Sequence, residues 1–376
     1  MTRGILKLVL VLSLFTSATL LLMAQDDKQP LLTKAVGQST LDPRGQADDP
    51  YDQDYDQDKD RNIHITDRRI IKNGSATGTY NQDPSVVETS NGDYLLSYNV
   101  GPGQTVDYHI LRRSHDRGAT WTPEVDQWSA TSPDPALGRA PQSGDELVSF
   151  ANLTPAGLRG AAYARSQDKG YDWSGFTFFD DPASNTFAVN MFLIDQLSMY
   201  TPSEDGDGVH SSLWFSGDDG YTWTKLSTIN HPADATINET AIAKVGTTTI
   251  FAISRDNANT HTWGHFSVDM GFTWGNQIDY TPQVGTLQDP ELLKIKKALL
   301  LFGRNPDANE LLVFASYDGG KTFTDRTVLD TYTGDAIDGG YSWALLRRDG
   351  KIFVVYYADS EGLRKPDIKS LILKWK

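Results

Sequence analysis

Six short stretches hold most of the side chains that could move a proton or grip a ligand. They are Gln82-Asp83-Pro84, Gly138-Arg139-Ala140-Pro141, Val189-Asn190-Met191, Asn238-Glu239-Thr240, Gln288-Asp289-Pro290-Glu291 and Gly340-Tyr341-Ser342-Trp343. In each, polar residues come first and apolar ones follow. The carboxylates Asp83, Glu239 and Asp289, with Arg139 and Tyr341, are the types that general acid–base and nucleophilic chemistry require. Arg255 and Arg304 each close an apolar run, and Asp107 and His109 share one short stretch. Residues two apart on a strand point to the same face, so Asp107 and His109 would point together. The chain has no cysteine, which excludes thiolate chemistry and disulfides, and His261 and His265 lack metal-ligand spacing. No metal and no cofactor are expected.

Stretches so far apart in sequence need a repeating framework to bring them together. Ser267-Val268-Asp269-Met270-Gly271-Phe272-Thr273-Trp274 reads S-x-D-x-G-x-T-W, and the pattern starts also at Ser114, Ser166 and Ser216, with a copy ending in Phe323 that starts at Ser316. The steps between copies run from 49 to 52 residues, a period that marks a repeat architecture. Within a copy, Asp can bond nearby backbone N–H groups, Gly supplies a positive φ, and the aromatic residue is expected to pack the turn onto its own unit. Apolar strands follow at the same period: Tyr94–Asn99, Glu146–Asn152, Gln196–Tyr200, Thr249–Arg255, Leu299–Arg304 and Lys351–Tyr357. Strong helical periodicity is absent. The expected fold is all-β: a six-bladed β-propeller of four-stranded antiparallel blades, with seven blades as the alternative. The last unit lacks the repeat motif and is one strand short, whereas the strand near Ile65–Ile71 stands alone. Pairing it with the segment ending at Leu371–Trp375 would close the ring and remove exposed edges. The polar stretches would then be the starts of inner strands, which converge at one mouth of the central channel.

The eight-residue pattern is the Asp box, or BNR repeat, and through it the chain resembles the sialidase superfamily. The Asp boxes normally lie away from the active face, so function is sought between them. Sialidases use a Tyr nucleophile, a neighbouring Glu that takes its proton, an Asp acid/base and three Arg that hold the substrate carboxylate. The resemblance implies Tyr341 as nucleophile, Glu239 as its base, Asp107 as acid/base and Arg255, sixteen residues after Glu239, as substrate anchor. Arg304, Arg139, Gln82, Asp83, His109, Asp289 and Trp343 complete the expected substrate-binding set. The family's first Arg precedes the Pro of the first inner strand by two residues, where this chain has Gln82; its third stands ahead of the last Asp box, where this chain has Asn309-Glu310. The implied activity is that of an exo-acting, retaining glycoside hydrolase, on a glycan whose sugar can be acidic. Two other readings stay open: a non-catalytic glycan-binding propeller, and a uronate polysaccharide lyase using His109 and Tyr341.

Composition bounds the rest. A basic start at Arg3 and Lys7, an apolar run to Met23 and small Ala24 read as a secretory signal peptide over residues 1–24. Residues 25–62 are polar and Asp-rich and read as a disordered linker, since the Asp54 register lacks the Gly and acid of an EF-hand loop. The propeller would span 63–376. A secreted or periplasmic monomer is expected, with no membrane insertion after cleavage. The formal charge of −15 argues against nucleic acid as a partner.

Overall fold

The computed structural model describes residues 63–129, 136–140, 145–153, 160–179, 187–188, 193–195, 198–205, 210–229, 236–296 and 298–375, so the expected leader and linker lie outside the described residues. Short alternating segments bounded by turn residues become strands throughout. The first, β1 (Ile63–Lys72), has no partner near it in sequence. Blade one follows as β2 (Tyr80–Glu88), β3 (Tyr94–Gly101), β4 (Tyr108–Ser114) and β5 (Val125–Ser129). Blade two is β6 (Ala136–Arg139), β7 (Leu147–Leu153), β8 (Gly160–Ser166) and β9 (Thr177–Phe178). In blade three, β10 (Phe187–Ala188) and β11 (Leu193–Asp195) both pair with β12 (Ser198–Glu204), where one inner strand was expected, and β13 (Ser211–Ser216) and β14 (Thr224–Thr228) complete it. Blade four is β15 (Ile237–Lys244), β16 (Ile250–Asp256), β17 (Thr262–Ser267) and β18 (Ile278–Asp279). Blade five is β19 (Gln288–Ile295), β20 (Ala298–Asn305), β21 (Glu310–Ser316) and β22 (Thr324–Thr331). Blade six is β23 (Gly339–Leu346), β24 (Ile352–Ala358) and β25 (Asp367–Trp375), with β1 as its outer strand.

The fold is thus a six-bladed β-propeller closed by its N-terminal strand. Antiparallel pairing runs from Ile63 opposite Trp375 to Lys72 opposite Ile368, so blade six joins both ends of the described chain. Ile63 and Ile65 of β1 join the apolar cluster that holds Leu371 and Leu373 of β25, both fully buried.

Each Asp box folds as its residue types require. Ser114 Oγ donates to Asp116 Oδ1 at 2.8 Å and accepts from the Gly118 N–H at 2.7 Å, while Asp116 accepts from the Thr120 N–H and hydroxyl at 2.7 and 2.6 Å. The copies at Ser216, Ser267 and Ser316 repeat these bonds, and the copy at Ser166 places Asp172 where the others have Thr. The Thr120 and Thr273 bonds hold the carboxyls of Asp116 and Asp269 down at about 2.

The expectation that each box packs on its own unit is corrected by the structure. A Cβ on the box glycine would strike the preceding blade: Phe353 for Gly118, Leu95 for Gly170, Val148 for Gly220, Leu213 for Gly271 and Phe251 for Gly320. The aromatics follow the same rule. Trp121 faces Phe353, Trp223 meets Phe150 edge-on at 5.2 Å, and Phe323 lies against Phe251. Glycine is required at these turns twice over, for its positive φ and for the close approach. Trp121, Trp173 and Trp223 remain half-buried, while Trp274 is 7 % exposed and donates its indole N–H to Ser227 Oγ at 3.0 Å. Trp274→Ala should therefore cost about 3–5 kcal/mol, and Trp121→Ala distinctly less. Denaturant melts of the two variants would check this ordering, and equal losses would contradict it.

Candidate active site

Four inner strands carry an irregularity at the same place. Pairing slips by one residue between Gln82 and Ser85, Ile237 and Thr240, Gln288 and Glu291, and Gly339 and Ser342. Each is a β-bulge, which turns a side chain out of its strand's alternation. The residues set in the bulges include Asp83, Glu239, Asp289 and Tyr341. Asp83 and Asp289 take φ of 51° and 47°, and Gly340, beside Tyr341, takes 93°. The bulges thus bring the polar strand starts to one end of the channel.

There the Tyr341 hydroxyl donates to Glu239 Oε1 in a short hydrogen bond. Arg255 Nη1 donates to the same oxygen at 2.7 Å and lies 3.4 Å from the Tyr341 oxygen. The other carboxylate oxygen, Glu239 Oε2, accepts from the Asp289 N–H at 2.8 Å. Glu239 therefore reaches from blade four past the bulge of blade five to blade six. Burial, and next the Glu239 charge, push the Tyr341 hydroxyl well above its ordinary range, with Arg304 and Arg255 opposing. Free tyrosinate is therefore scarce at neutral pH, and its proton has one acceptor at hand. The Arg304 guanidinium lies 4.2 Å over the Tyr341 ring. It is 3 % exposed and donates from Nε to Gln288 Oε1 at 2.8 Å and from Nη1 to Gly339 O at 3.1 Å. This arrangement can shift a proton from phenol to carboxylate while two cations steady the developing phenolate.

The remaining candidates scatter around this centre. Gln82 is buried and donates to Gln104 O at 3.1 Å, which ties down the loop bearing Asp107. Asp107 itself is exposed, with its N–H on Val100 O at 2.9 Å. Asp83 accepts from Asn99 at 3.4 Å, and His109 Nδ1 stands 3.3 Å from Asn99 Oδ1. His109 is 2 % exposed, and burial pulls its imidazole down to about 3, so it supports the bulge of blade one from behind as a neutral ring. A polymer at the mouth would not reach it. Trp343 is buried in the core. Arg139 does not open an inner strand: it pairs with Leu147 at the end of β6, and Leu147 in turn faces Ser166 of an Asp box. It belongs to the opposite end of its blade. Val189-Asn190-Met191 lies outside the described residues.

Sequence reasoning missed Glu204. Its Oε1 accepts from the Glu239 N–H at 3.0 Å. Burial, then the Glu239 charge, raises its carboxyl to about 7. The expected strand ends at Tyr200, short of Pro202, a residue type that weakens a strand assignment. In the fold β12 continues through Pro202, opposite Leu213, to Glu204. Following the strand past the proline would have found it.

Glu291 lies beneath the site, 3 % exposed, with Oε1 accepting from the Ala344 N–H at 2.5 Å. Burial pushes its carboxyl from 4.5 up to about 8, against the pull of the Ala344 and Ser342 bonds. A raised folded-state value means the folded chain holds this proton more tightly than the unfolded one. The stability gained is full below about pH 4.5 and is lost as pH rises toward about 8. Glu291→Gln keeps the acceptor and removes the titration. Thermal melts between about pH 5 and 8 should show a flatter Tm profile for this variant, and parallel profiles would reject the assignment.

The family model described as "BNR repeat-like domain" matches residues 122–354. A search of curated proteins returns no match. Among solved structures, the chain is similar to a protein of unknown function from Dyadobacter fermentans DSM 18053 at 19 % identity and TM-score 0.69, covering 84 % of this chain and 99 % of that one. It is similar to the Hadza microbial sialidase Hz136 at 20 % identity and TM-score 0.65, covering 81 % and 68 %. It is similar also to an α-L-arabinanase of Penicillium chrysogenum, solved with arabinobiose, at 13 % identity and TM-score 0.60, covering 83 % and 98 %. At such identities the likeness establishes the fold.

Proposed function

The chain belongs to the BNR repeat-like domain family, and from that premise and the geometry of the mouth we propose that it is a secreted, glycan-active enzyme, a retaining, exo-acting glycoside hydrolase whose nucleophile is Tyr341. The observation that carries the reading is the Tyr341–Glu239–Arg255 constellation. A phenol bonded to a carboxylate, with a guanidinium on both, is a nucleophile joined to its base. Structural neighbours that act on glycans, a sialidase and an arabinanase by their names, support the substrate class.

In the first step the Tyr341 oxygen attacks the anomeric carbon as its proton passes to Glu239. The bond to the leaving oxygen breaks, and Asp107 supplies that oxygen's proton. In the second, water attacks the same carbon, Asp107 takes the water's proton, and the departing tyrosinate recovers its own from Glu239. Arg255 stays beside both oxygens and steadies the charge as it passes from Glu239 to the phenolate oxygen during attack; in the glycosyl intermediate both oxygens are neutral and the charge rests on Asp107 until water attacks. Each step inverts the anomeric carbon, and the two together retain it.

Two measurements on a turned-over aryl glycoside test this. Proton NMR of the first-formed sugar should show the substrate's own anomer. Intact-mass analysis with a slow fluorinated glycosyl donor should show one sugar added at Tyr341. An inverted first product would sink the covalent mechanism.

A further inference from the structure

We infer that the sugar residue held against Tyr341 is uncharged, a neutral glycose and not a sialic or uronic acid. The inference rests on the hydrolase reading above and specifies its substrate. A carboxylate on the sugar would need a guanidinium fork free to meet it, and a bidentate clamp depends on that geometry. Among the described residues each arginine at this end of the channel already holds a protein partner, and none presents its whole fork. Arg255 gives Nη1 to Glu239 at 2.7 Å and Nε to Asn259 Oδ1 at 3.0 Å. Arg304 is buried beneath the Tyr341 ring, bonded to Gln288 and Gly339. Arg364, on the loop before β25, pairs with Asp335 at 3.1 Å and Asp338 at 3.5 Å.

The two positions where the chain departs from an arginine clamp carry neutral amides that are themselves occupied. Gln82 holds Gln104 O, and Asn309 holds Gly334 O at 3.1 Å. Around them stand carboxyl groups: Asp83, Asp289, Glu204 and Glu239. A second anion brought against the Glu239 carboxylate would meet repulsion, and the net charge of −15 adds to it at long range. Sugar hydroxyls fit the same surroundings well. Each can donate to a carboxyl oxygen, which is the pairing the mouth offers.

The test uses the full chain and matched aryl glycosides that share a ring and differ in one carboxylate: glucoside with glucuronide, galactoside with galacturonide, and arabinofuranoside and sialoside beside them. The expected result is turnover of at least one neutral glycoside, kcat/KM at least about 100-fold above its uronide partner, and no sialoside cleavage. Cleavage of the sialoside or of a uronide at a comparable or higher rate overturns the inference and leaves the hydrolase reading standing. If nothing is cleaved, the hydrolase reading fails, and a binding arm decides the charge class by itself. In that arm labelled chain carrying Tyr341→Phe is scored on an array of neutral and carboxylate-terminated glycans. Binding confined to neutral glycans supports the inference; binding to carboxylate-terminated glycans, or to none, overturns it.

Discussion

Tyr341→Phe is expected to lower kcat by about 10³-fold or more on any glycoside the chain cleaves, with KM changed far less. The substitution deletes one hydroxyl and leaves the ring between Arg304 and Tyr357, so the packing that seats it remains. Folding should be little affected, and circular dichroism and Tm would verify that. Glu239→Gln should cause a loss of similar size, because the Tyr341 hydroxyl, pushed well up by its burial, then has no base to take its proton. The double variant should be hardly worse than either single one, since nucleophile and base act as a unit. Full activity in Tyr341→Phe would end the nucleophile assignment. Additive losses in the double variant would separate the two roles.

The second large effect concerns closure. A chain beginning at Asn73 lacks β1, and β25 then becomes a long open edge, while the apolar cluster that holds Leu371 and Leu373 loses Ile63 and Ile65. Such edges recruit other chains. Removing the strand should lower Tm by about 10 °C or more, as several kcal/mol of burial and pairing are lost. Size-exclusion chromatography should show association where the chain beginning at Ile63 shows none. A Tm within about 2 °C of the longer chain, with unchanged elution, would show that blade six holds without its outer strand.

Much of this was legible because it was written in a period. Five Asp boxes at steps near fifty pointed to six blades, with seven as the alternative, and the unpaired segment at Ile65–Ile71 pointed to the closure that the structure shows. Glu239 and Tyr341 were visible because they sit at equivalent points of their units, and Arg255 because it follows Glu239 in a pattern of residue types. What escaped was set by events off the period. Arg139 was expected at a strand start, within Gly138-Arg139-Ala140-Pro141; pairing puts it at the strand's far end. His109 looked available from its alternation with Asp107, yet the strand turns it inward onto Asn99. Glu204 lay beyond a proline that the sheet tolerates. The bulges themselves leave no sequence mark apart from residues such as Asp83, Asp289 and Gly340 that accept positive φ.

The seating of the Asp boxes also sets an order in time. From blade two to blade five, each box closes onto a blade synthesised before it: Gly170 onto Leu95, Gly220 onto Val148, Gly271 onto Leu213 and Gly320 onto Phe251. As the chain leaves the ribosome, every new blade therefore finds its berth already built. The box of blade one is the exception, since Gly118 waits for Phe353, and β1 waits for β25. The earliest blade stays unlatched on one flank until the final residues are made, and the last docking event joins the two most distant parts of the ring. Contacts of such long sequence separation form slowly. A chain ending before β24 lacks both Phe353, which seats the box of blade one, and the partner of β1, so both flanks of the five-blade arc would be bare.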